Sequence, residues 1–321
     1  MLQDKFGRTI DYLRISVTDR CDLRCIFCMP PEGVPRLDHA NILRFEEIIA
    51  IVRVAEELGI KKIRLTGGEP LTRTGIVSLV KNLSGISGID NLAMTTNGVL
   101  FHNMGHSLQT AGLHRINFGI SSLDEATYNK ITRGGNLSKA LEGLDTAIKL
   151  GFAPIKINVV VQKGINEDLT KFIALAIEKP VHVRFIEYMP IGAETHSALF
   201  VPATEIFHSI EATTKLVPIE KSKSNSQAPN AWQIKDGCGS ISIIAPISEN
   251  HCGNCNRLRL TADGQLRPCL FSKEEVDIKP ALRPTINAEQ IKSLIINAIA
   301  SKPKSLRETS DFGRRMSQIG G

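Results

Sequence analysis

The sequence predicts an α/β protein in which an incomplete (β/α)6 barrel is followed by a smaller α+β region, and three observations carry that prediction. From Asp11 to about Pro190, short β-rich runs alternate with longer amphipathic stretches, the pattern of repeated βα units around a parallel sheet. The alternation stops at Pro190. Beyond it, short β-like runs surround three cysteines and one late helical pattern follows, so residues 1–190 and 191–321 read as two regions.

Six runs read as strands: Tyr12 to Val17, Lys62 to Thr66, Asn91 to Thr95, Arg115 to Ile120, Ile155 to Val161 and Val181 to Tyr188. Each is followed by a loop rich in Gly, Pro, Asn or Cys. Six βα units are too few to close an eight-stranded barrel, so the barrel should stay open, with its chemistry at the strand C-terminal ends. The clearest helix runs from Glu46 to Leu58, with Ile48, Ile49, Val52, Ala55 and Leu58 on one stripe and Gly59 as its stop. In the second region Lys221 to Asn230 (KSKSNSQAPN) reads as an exposed loop. The β-like runs lie between Trp232 and Leu270, and Asn287 to Ala300 reads as a helix burying Ile291, Leu294, Ile295 and Ala298.

Composition narrows the function. A chain of 321 residues with 42% hydrophobic and 22% charged residues can bury a sizeable core. The net charge is +6, with Lys and Arg dispersed rather than collected in runs, which argues against a nucleic-acid-binding arm and suits a small anionic substrate. Met1 to Asp11 lacks the apolar run of a signal peptide, and no stretch approaches the roughly 20 apolar residues of a membrane span. A soluble cytoplasmic protein is expected. Seven cysteines in a reducing compartment point to metal or redox chemistry rather than disulfides, and an odd number cannot pair completely.

Six of the seven cysteines form two triplets. Cys21, Cys25 and Cys28 have the spacing C-x3-C-x2-C directly after the first strand. Cubane iron–sulfur clusters normally take four thiolates, so a compact set of three leaves one iron open to an exchangeable ligand. A zinc site completed by His39 is the competing reading, although structural zinc favours paired C-x2-C clips. The second triplet, Cys252, Cys255 and Cys269, has the spacing C-x2-C-x13-C. There His251 could complete a Cys3His zinc site, and spacing alone leaves zinc and a second cluster both open. Cys238 belongs to neither triplet and reads as a small packed residue.

The first triplet, with Phe27 at its aromatic position, resembles the defining C-x3-C-x-aromatic-C motif of the radical S-adenosylmethionine (SAM) superfamily. Gly67-Gly68-Glu69-Pro70 after the second strand resembles that superfamily's SAM-binding loop, where glycines let backbone approach a ligand closely. More specific signals follow. Arg14-Ile-Ser-Val-Thr-Asp-Arg-Cys21, Cys28-Met-Pro-Pro-Glu-Gly33 and the run Asn256-Arg257-Leu258-Arg259-Leu260-Thr261-Ala262-Asp263-Gly264 resemble the GTP 3′,8-cyclases that begin molybdenum-cofactor biosynthesis. This resemblance extends from about Phe6 to the terminal Gly-Gly.

The resemblance implies a TIM-like radical SAM barrel carrying SAM on an N-terminal 4Fe–4S cluster, and GTP at a second 4Fe–4S cluster held by the C-terminal region. It implies that a 5′-deoxyadenosyl radical takes the ribose H3′ of GTP and that C3′ then bonds to guanine C8, giving 3′,8-cyclo-7,8-dihydro-GTP. It further implies a reducing partner such as flavodoxin or ferredoxin and a downstream synthase that makes cyclic pyranopterin monophosphate, with a homodimer left open. Position by position, Gly68, Glu69, Phe27, Gly119 and Met189 match SAM-side residues. Arg14, Arg64, Thr95, Lys156, Arg257, Leu258 and Arg259 match GTP contacts. No catalytic acid, base or nucleophile is named from the sequence.

The fourth strand departs from the family pattern. Gly119 stands where a SAM-associated serine is usual, and Ser121 stands for an aspartate. Gly320 and Gly321 resemble the family's terminal pair, expected to thread into the active site where side chains would not fit, with a frayed end as the alternative. A peptide-modifying radical SAM enzyme and a two-cluster electron-transfer protein are the competing functions. The Asn-Arg-Leu-Arg-Leu run speaks against the first, and open sites at both triplets speak against the second.

Overall fold

A computed structural model describes residues 2–191, 197–219, 230–249, 252–305 and 314–320. The six expected strands form, within one residue of their expected ends: β1 (Tyr12–Ser16), β2 (Lys62–Thr66), β3 (Asn91–Thr96), β4 (Arg115–Gly119), β5 (Ile155–Val161) and β6 (Val181–Glu187). Between them run α1 (Phe45–Glu57), α2 (Ile76–Ser84), α3 (Phe101–Thr110), the pair α4 (Glu125–Thr132) and α5 (Leu137–Lys149), and α6 (Thr170–Glu178). After β6 come α7 (Ala203–Glu211), β7 (Leu216–Pro218), β8 (Asn230–Ile234), β9 (Ser240–Ile244), β10 (Arg257–Leu260), β11 (Gln265–Arg267), β12 (Val276–Asp277), α8 (Ala288–Ala300) and the short α9 (Met316–Ile319). The late helix matches its expected span, with Asn287 as N-cap, but Ile299 is buried where Leu294 is only partly so. Residues 221–229 of the expected exposed loop, together with His251 and Gly321, lie outside the described residues.

The second region does not fold away from the barrel as a separate layer. The strands among the described residues join one sheet in the order β12-β11-β10-β1-β2-β3-β4-β5-β6-β9-β8-β7. Strand β10 pairs in parallel with β1, and β9 in parallel with β6, so the C-terminal chain lengthens the parallel run at both edges. The outer strands β11, β12, β8 and β7 then pair antiparallel. The sheet is a curved, incomplete barrel.

Because side chains alternate across a strand, each strand offers two faces of opposite character. On the outer face Leu13, Ile15, Ile63, Leu65, Met94, Phe118, Ile157, Phe185, Ile243 and Leu260 meet the apolar stripes of the helices in one core. The inner face carries Arg14, Arg64, Thr95, Asn117, Lys156, Arg184, Arg257 and Arg259. The core therefore lies outside the sheet, and the barrel interior is left as a polar lumen. Glu187, fully buried at the end of β6, fastens the two regions. Its carboxylate accepts from the backbone N–H of Ala203 at 2.8 Å and of Ile247 and Ser248 at 3.0 Å. Among the described residues no helix is long and apolar enough to cross a membrane.

Candidate active site

The first cysteine loop leaves the C-terminal end of β1 and is bolted to the end of α4. Arg24 N donates to Thr132 O at 3.0 Å, Ile26 N to Ile131 O at 2.9 Å, and Arg133 Nη1 to Met29 O at 2.8 Å. Cys28 N donates to Cys25 O at 2.9 Å, tightening the turn, and Leu23 N donates to Cys21 Sγ at 3.4 Å. Burial pushes the Cys21, Cys25 and Cys28 thiols up, that of Cys28 to about 12, and neighbouring thiols add to the effect. Three clustered sulfurs so disfavoured as thiolates fit a cationic iron group that would neutralise them. Among the described residues no three His, Cys, Asp or Glu side chains converge as a single-ion site needs. A cubane binds its thiolates on separate irons and makes no such demand. His39, the residue that would have completed a zinc site, instead meets Arg20 Nη2 at 3.1 Å.

The Gly67–Pro70 loop follows β2 and lies directly against this segment. Gly68 N donates to Thr18 O at 2.8 Å, and Glu69 N to Arg20 O at 2.7 Å. A Cβ on Gly68 would fall 2.2 Å from Arg20 O, so only glycine permits the approach. The buried Glu69 carboxylate accepts from Leu71 N at 3.0 Å, Thr96 Oγ1 at 2.7 Å and Asn97 N at 2.7 Å. Burial nevertheless lifts its pKa to about 7. A buried carboxylate held only by neutral donors fits the ammonium of a bound amino acid moiety. Gly119 ends β4 nearby, and a Cβ there would meet only Thr96 O, at 3.8 Å.

The lumen is built of cations. Register places Arg14 between Arg64 and Arg259 on neighbouring strands, and Lys156 between Asn117 and His182. Arg64 donates to Tyr12 Oη and, at 3.3 Å, to Thr95 Oγ1. Burial would push the Tyr12 phenol up, but the Arg64 and Arg14 guanidiniums outweigh it and hold it below its usual value. Burial, then mutual repulsion, lowers Lys156 to about 7, Arg184 to about 9 and Arg259 to about 10, and carries Arg14 down as well. Nε of Arg184 and of Arg257 is buried without a hydrogen-bond partner. Crowded, under-bonded cations of this kind are an anion site in wait of several negative charges.

Arg184 and Asn117, outside the sequence-derived set, also belong to this lumen. Arg184 lies among its cations, and Asn117, its amide oriented to suit its neighbours, accepts from both Arg64 and Arg184. Alternation along Val181-His-Val-Arg184 and Ile116-Asn-Phe118 is the signal that could have found them. Leu258 differs from its neighbours: the residue is 1% exposed, and its side chain packs in the outer core instead of facing the lumen.

The second triplet lies at the opposite end of the parallel strands from the first. Cys252 and Cys255 sit on a short turn just ahead of β10, closed by Cys255 N donating to Cys252 O at 3.1 Å. Cys269 follows β11, which runs antiparallel to β10 and returns to that same end. The site therefore extends along the lumen instead of lying wholly at the strand C-terminal ends, because β10 re-enters the sheet beside β1. Burial raises the Cys255 thiol, but Lys302 and Arg257 outweigh it and bring the thiol down to about 7. Cys238 is exposed on the bend between β8 and β9, not packed as its small apolar character suggested.

The C-terminal tail docks between the two triplets. Ile319 packs with Ile191 and Phe271 in a small cluster flanked by Met189, Met316, Leu270 and Cys269 of the second triplet. Gly320 O accepts from Arg259 Nη1 at 3.1 Å. Gly320 has φ +69°, and a Cβ there would stand 2.4 Å from Thr66 Oγ1, so the tail enters the lumen only with glycine at this point.

Residues 15–176 match the model of the radical SAM superfamily, and residues 181–308 that of Molybdenum Cofactor Synthesis C. A GTP 3′,8-cyclase of Pelotomaculum thermopropionicum is 48% identical over all of both chains, and one of Alkaliphilus oremlandii is 46% identical, again over all of both. The chain belongs to the GTP 3′,8-cyclase family of radical SAM enzymes. Its cofactors are SAM and 4Fe–4S clusters. Among solved structures, Streptococcus suis SuiB bound to S-adenosylmethionine is similar with a TM-score of 0.61 and 14% identity, over 89% of this chain and 68% of that one. The protein anSMEcpe with bound AdoMet matches with a TM-score of 0.58 and 13% identity, over 92% of this chain and 78% of that one. These two likenesses concern the fold alone.

Proposed function

We propose that this lyase converts GTP to 3′,8-cyclo-7,8-dihydro-GTP inside the basic lumen, with one cluster at each end. Cys21, Cys25 and Cys28 would hold the SAM-binding cluster, and Cys252, Cys255 and Cys269 the other. Residues 1–190 then serve SAM and supply part of the nucleotide site, and 191–321 serve the second cluster and the rest of the nucleotide site. The bound cofactors supply the reducing electron and the radical that takes the ribose H3′.

The chain's own part is placement. Glu69 would take the SAM ammonium, Gly68 admits the ligand to the loop backbone, and Phe27, Gly119 and Met189 line the same end. Arg14, Arg64, Lys156, Arg257 and Arg259 would hold the phosphates by charge-assisted bonds, with Thr95 and the Leu258 backbone beside them. The observation that carries this reading is the row of buried, mutually repelling cations between the two cysteine triplets. A lumen about 17 Å long, set by five-residue strands, lets one substrate bridge both ends and fixes C3′ toward the radical source.

Seven free thiols support a reducing, cytoplasmic setting. An electron carrier such as flavodoxin or ferredoxin would reduce the first cluster, and the product would pass to the synthase that makes cyclic pyranopterin monophosphate. A homodimer is the assembly for sedimentation to decide. Anaerobic reconstitution should give about eight irons per chain. Incubation with GTP, SAM and dithionite should then give 5′-deoxyadenosine, methionine and the cyclised nucleotide by mass spectrometry. Reconstituted protein that cleaves SAM but leaves GTP unchanged would overturn the assignment.

A further inference from the structure

Past α8 the chain carries Lys302 into the interior, where it is 2% exposed. Its ammonium donates to Arg257 O at 2.8 Å and to Pro268 O at 2.5 Å. Arg257 follows Cys255 by two residues and Pro268 directly precedes Cys269, so these bonds join the segments bearing two of the three thiols. Neither partner is a carboxylate, and a buried cation is costly unless negative charge stands against it.

The surroundings fix this arrangement. Arg8, buried and paired with Asp4 at 2.5 Å, donates to Cys252 O at 2.9 Å and to Pro303 O at 2.7 Å. The residue after Lys302 is thereby tied to the remaining cysteine. Asn256 Nδ2 donates to Asp11 Oδ1 at 2.5 Å, anchoring the same turn to the start of β1.

We propose that Lys302 is a charge-compensating positioning residue for the second iron–sulfur cluster, holding the Cys255 and Cys269 segments together and raising that cluster's reduction potential through the buried positive charge it places between them. This rests on reading Cys252, Cys255 and Cys269 as cluster ligands. Reduction adds one negative charge to the cluster, so a fixed positive charge beside it favours the reduced form.

The test isolates the second cluster in full-length C21A/C25A/C28A protein, reconstituted anaerobically. Four irons per chain in this parent checks the ligand reading itself, independently of Lys302. Into the parent go K302M, K302Q and K302R, each assayed for iron and for midpoint potential by titration followed with electron paramagnetic resonance. K302M and K302Q should shift the potential to more negative values, and K302R should keep it near the parent's. Unchanged potentials in K302M and K302Q overturn the proposal. Loss of the cluster from all three variants, K302R included, also overturns it, since Lys302 would then be a strut whose charge is immaterial.

Discussion

Gly119 is the position that the sequence resemblance reads as a departure on the proposed SAM side, and its surroundings say what a serine there would meet. A Cβ there would meet only Thr96 O, at the ordinary contact distance of 3.8 Å, so a serine fits without moving anything. One neutral hydrogen bond is worth about 0.5–1.5 kcal/mol. Gly119→Ser should therefore leave the iron content unchanged and tighten SAM binding by up to about tenfold, read by equilibrium dialysis. A large loss of affinity would show that the strand end is aligned wrongly. Gly68 and Gly119 look alike in the sequence, yet a side chain at Gly68 would collide with Arg20 backbone. Spacing announced the Gly-Gly-Glu-Pro loop. The 2.2 Å clearance that makes its second glycine obligatory depends on how two separate loops pack, and no local pattern encodes it.

Strands and helices were the most legible features, because alternation and helical periodicity are local signals. Strands β2 and β5 begin and end where the sequence places them. The polar side of the same alternation was informative too. In β10, Arg257 and Arg259 face the lumen while Leu258 between them enters the core. Arg257→Ala with Arg259→Ala should remove two charged donors and raise the GTP dissociation constant by on the order of 100-fold or more, with both clusters retained. Retained GTP affinity in calorimetry would move the phosphate site elsewhere. Helix α1 makes a separate prediction. Its buried Glu47 takes Arg283 Nε at 2.6 Å and Arg283 Nη2 at 3.0 Å, joining the barrel to the chain ahead of α8. Burial would raise the Glu47 carboxyl, but bonds from Arg283 and Arg44 outweigh it and hold the pKa at about 2. A depressed carboxyl stabilises the fold above its unfolded pKa, and that stability is lost as pH falls through the folded value. Exposure of Arg44 screens part of the effect, leaving about 1–3 kcal/mol. In urea unfolding at neutral pH, Glu47→Gln should be less stable than the parent by that amount, and the gap should narrow as pH falls from about 4.5 toward 2. A gap independent of pH would remove the ion pair as its cause.

Assembly of the site was the least legible in sequence, since it depends on where distant segments re-enter the sheet. The sequence placed the chemistry at the C-terminal ends of the strands, and the first triplet is there. What it could not indicate is that β10, some 240 residues after β1, would lie parallel beside it and deliver the second triplet to the other end. That crossing turns two cysteine motifs into the two ends of one basic lumen. The Glu69 carboxylate and the Gly68 backbone, proposed above to hold SAM, stand by the first triplet. Arg257 and Arg259 stand beside the second and reach into the lumen. Replacing Cys252, Cys255 and Cys269 together by Ala should halve the iron and leave SAM cleavage measurable, because the first end keeps all of its parts. Cyclised nucleotide should disappear, because the substrate loses the anchor that holds C3′ toward the radical source. Replacing Cys21, Cys25 and Cys28 should instead abolish both 5′-deoxyadenosine and the nucleotide product. If the second-triplet variant still cyclised GTP at the parent rate, the nucleotide would have to be positioned by the lumen cations alone, and the far cluster would have no part in holding the substrate.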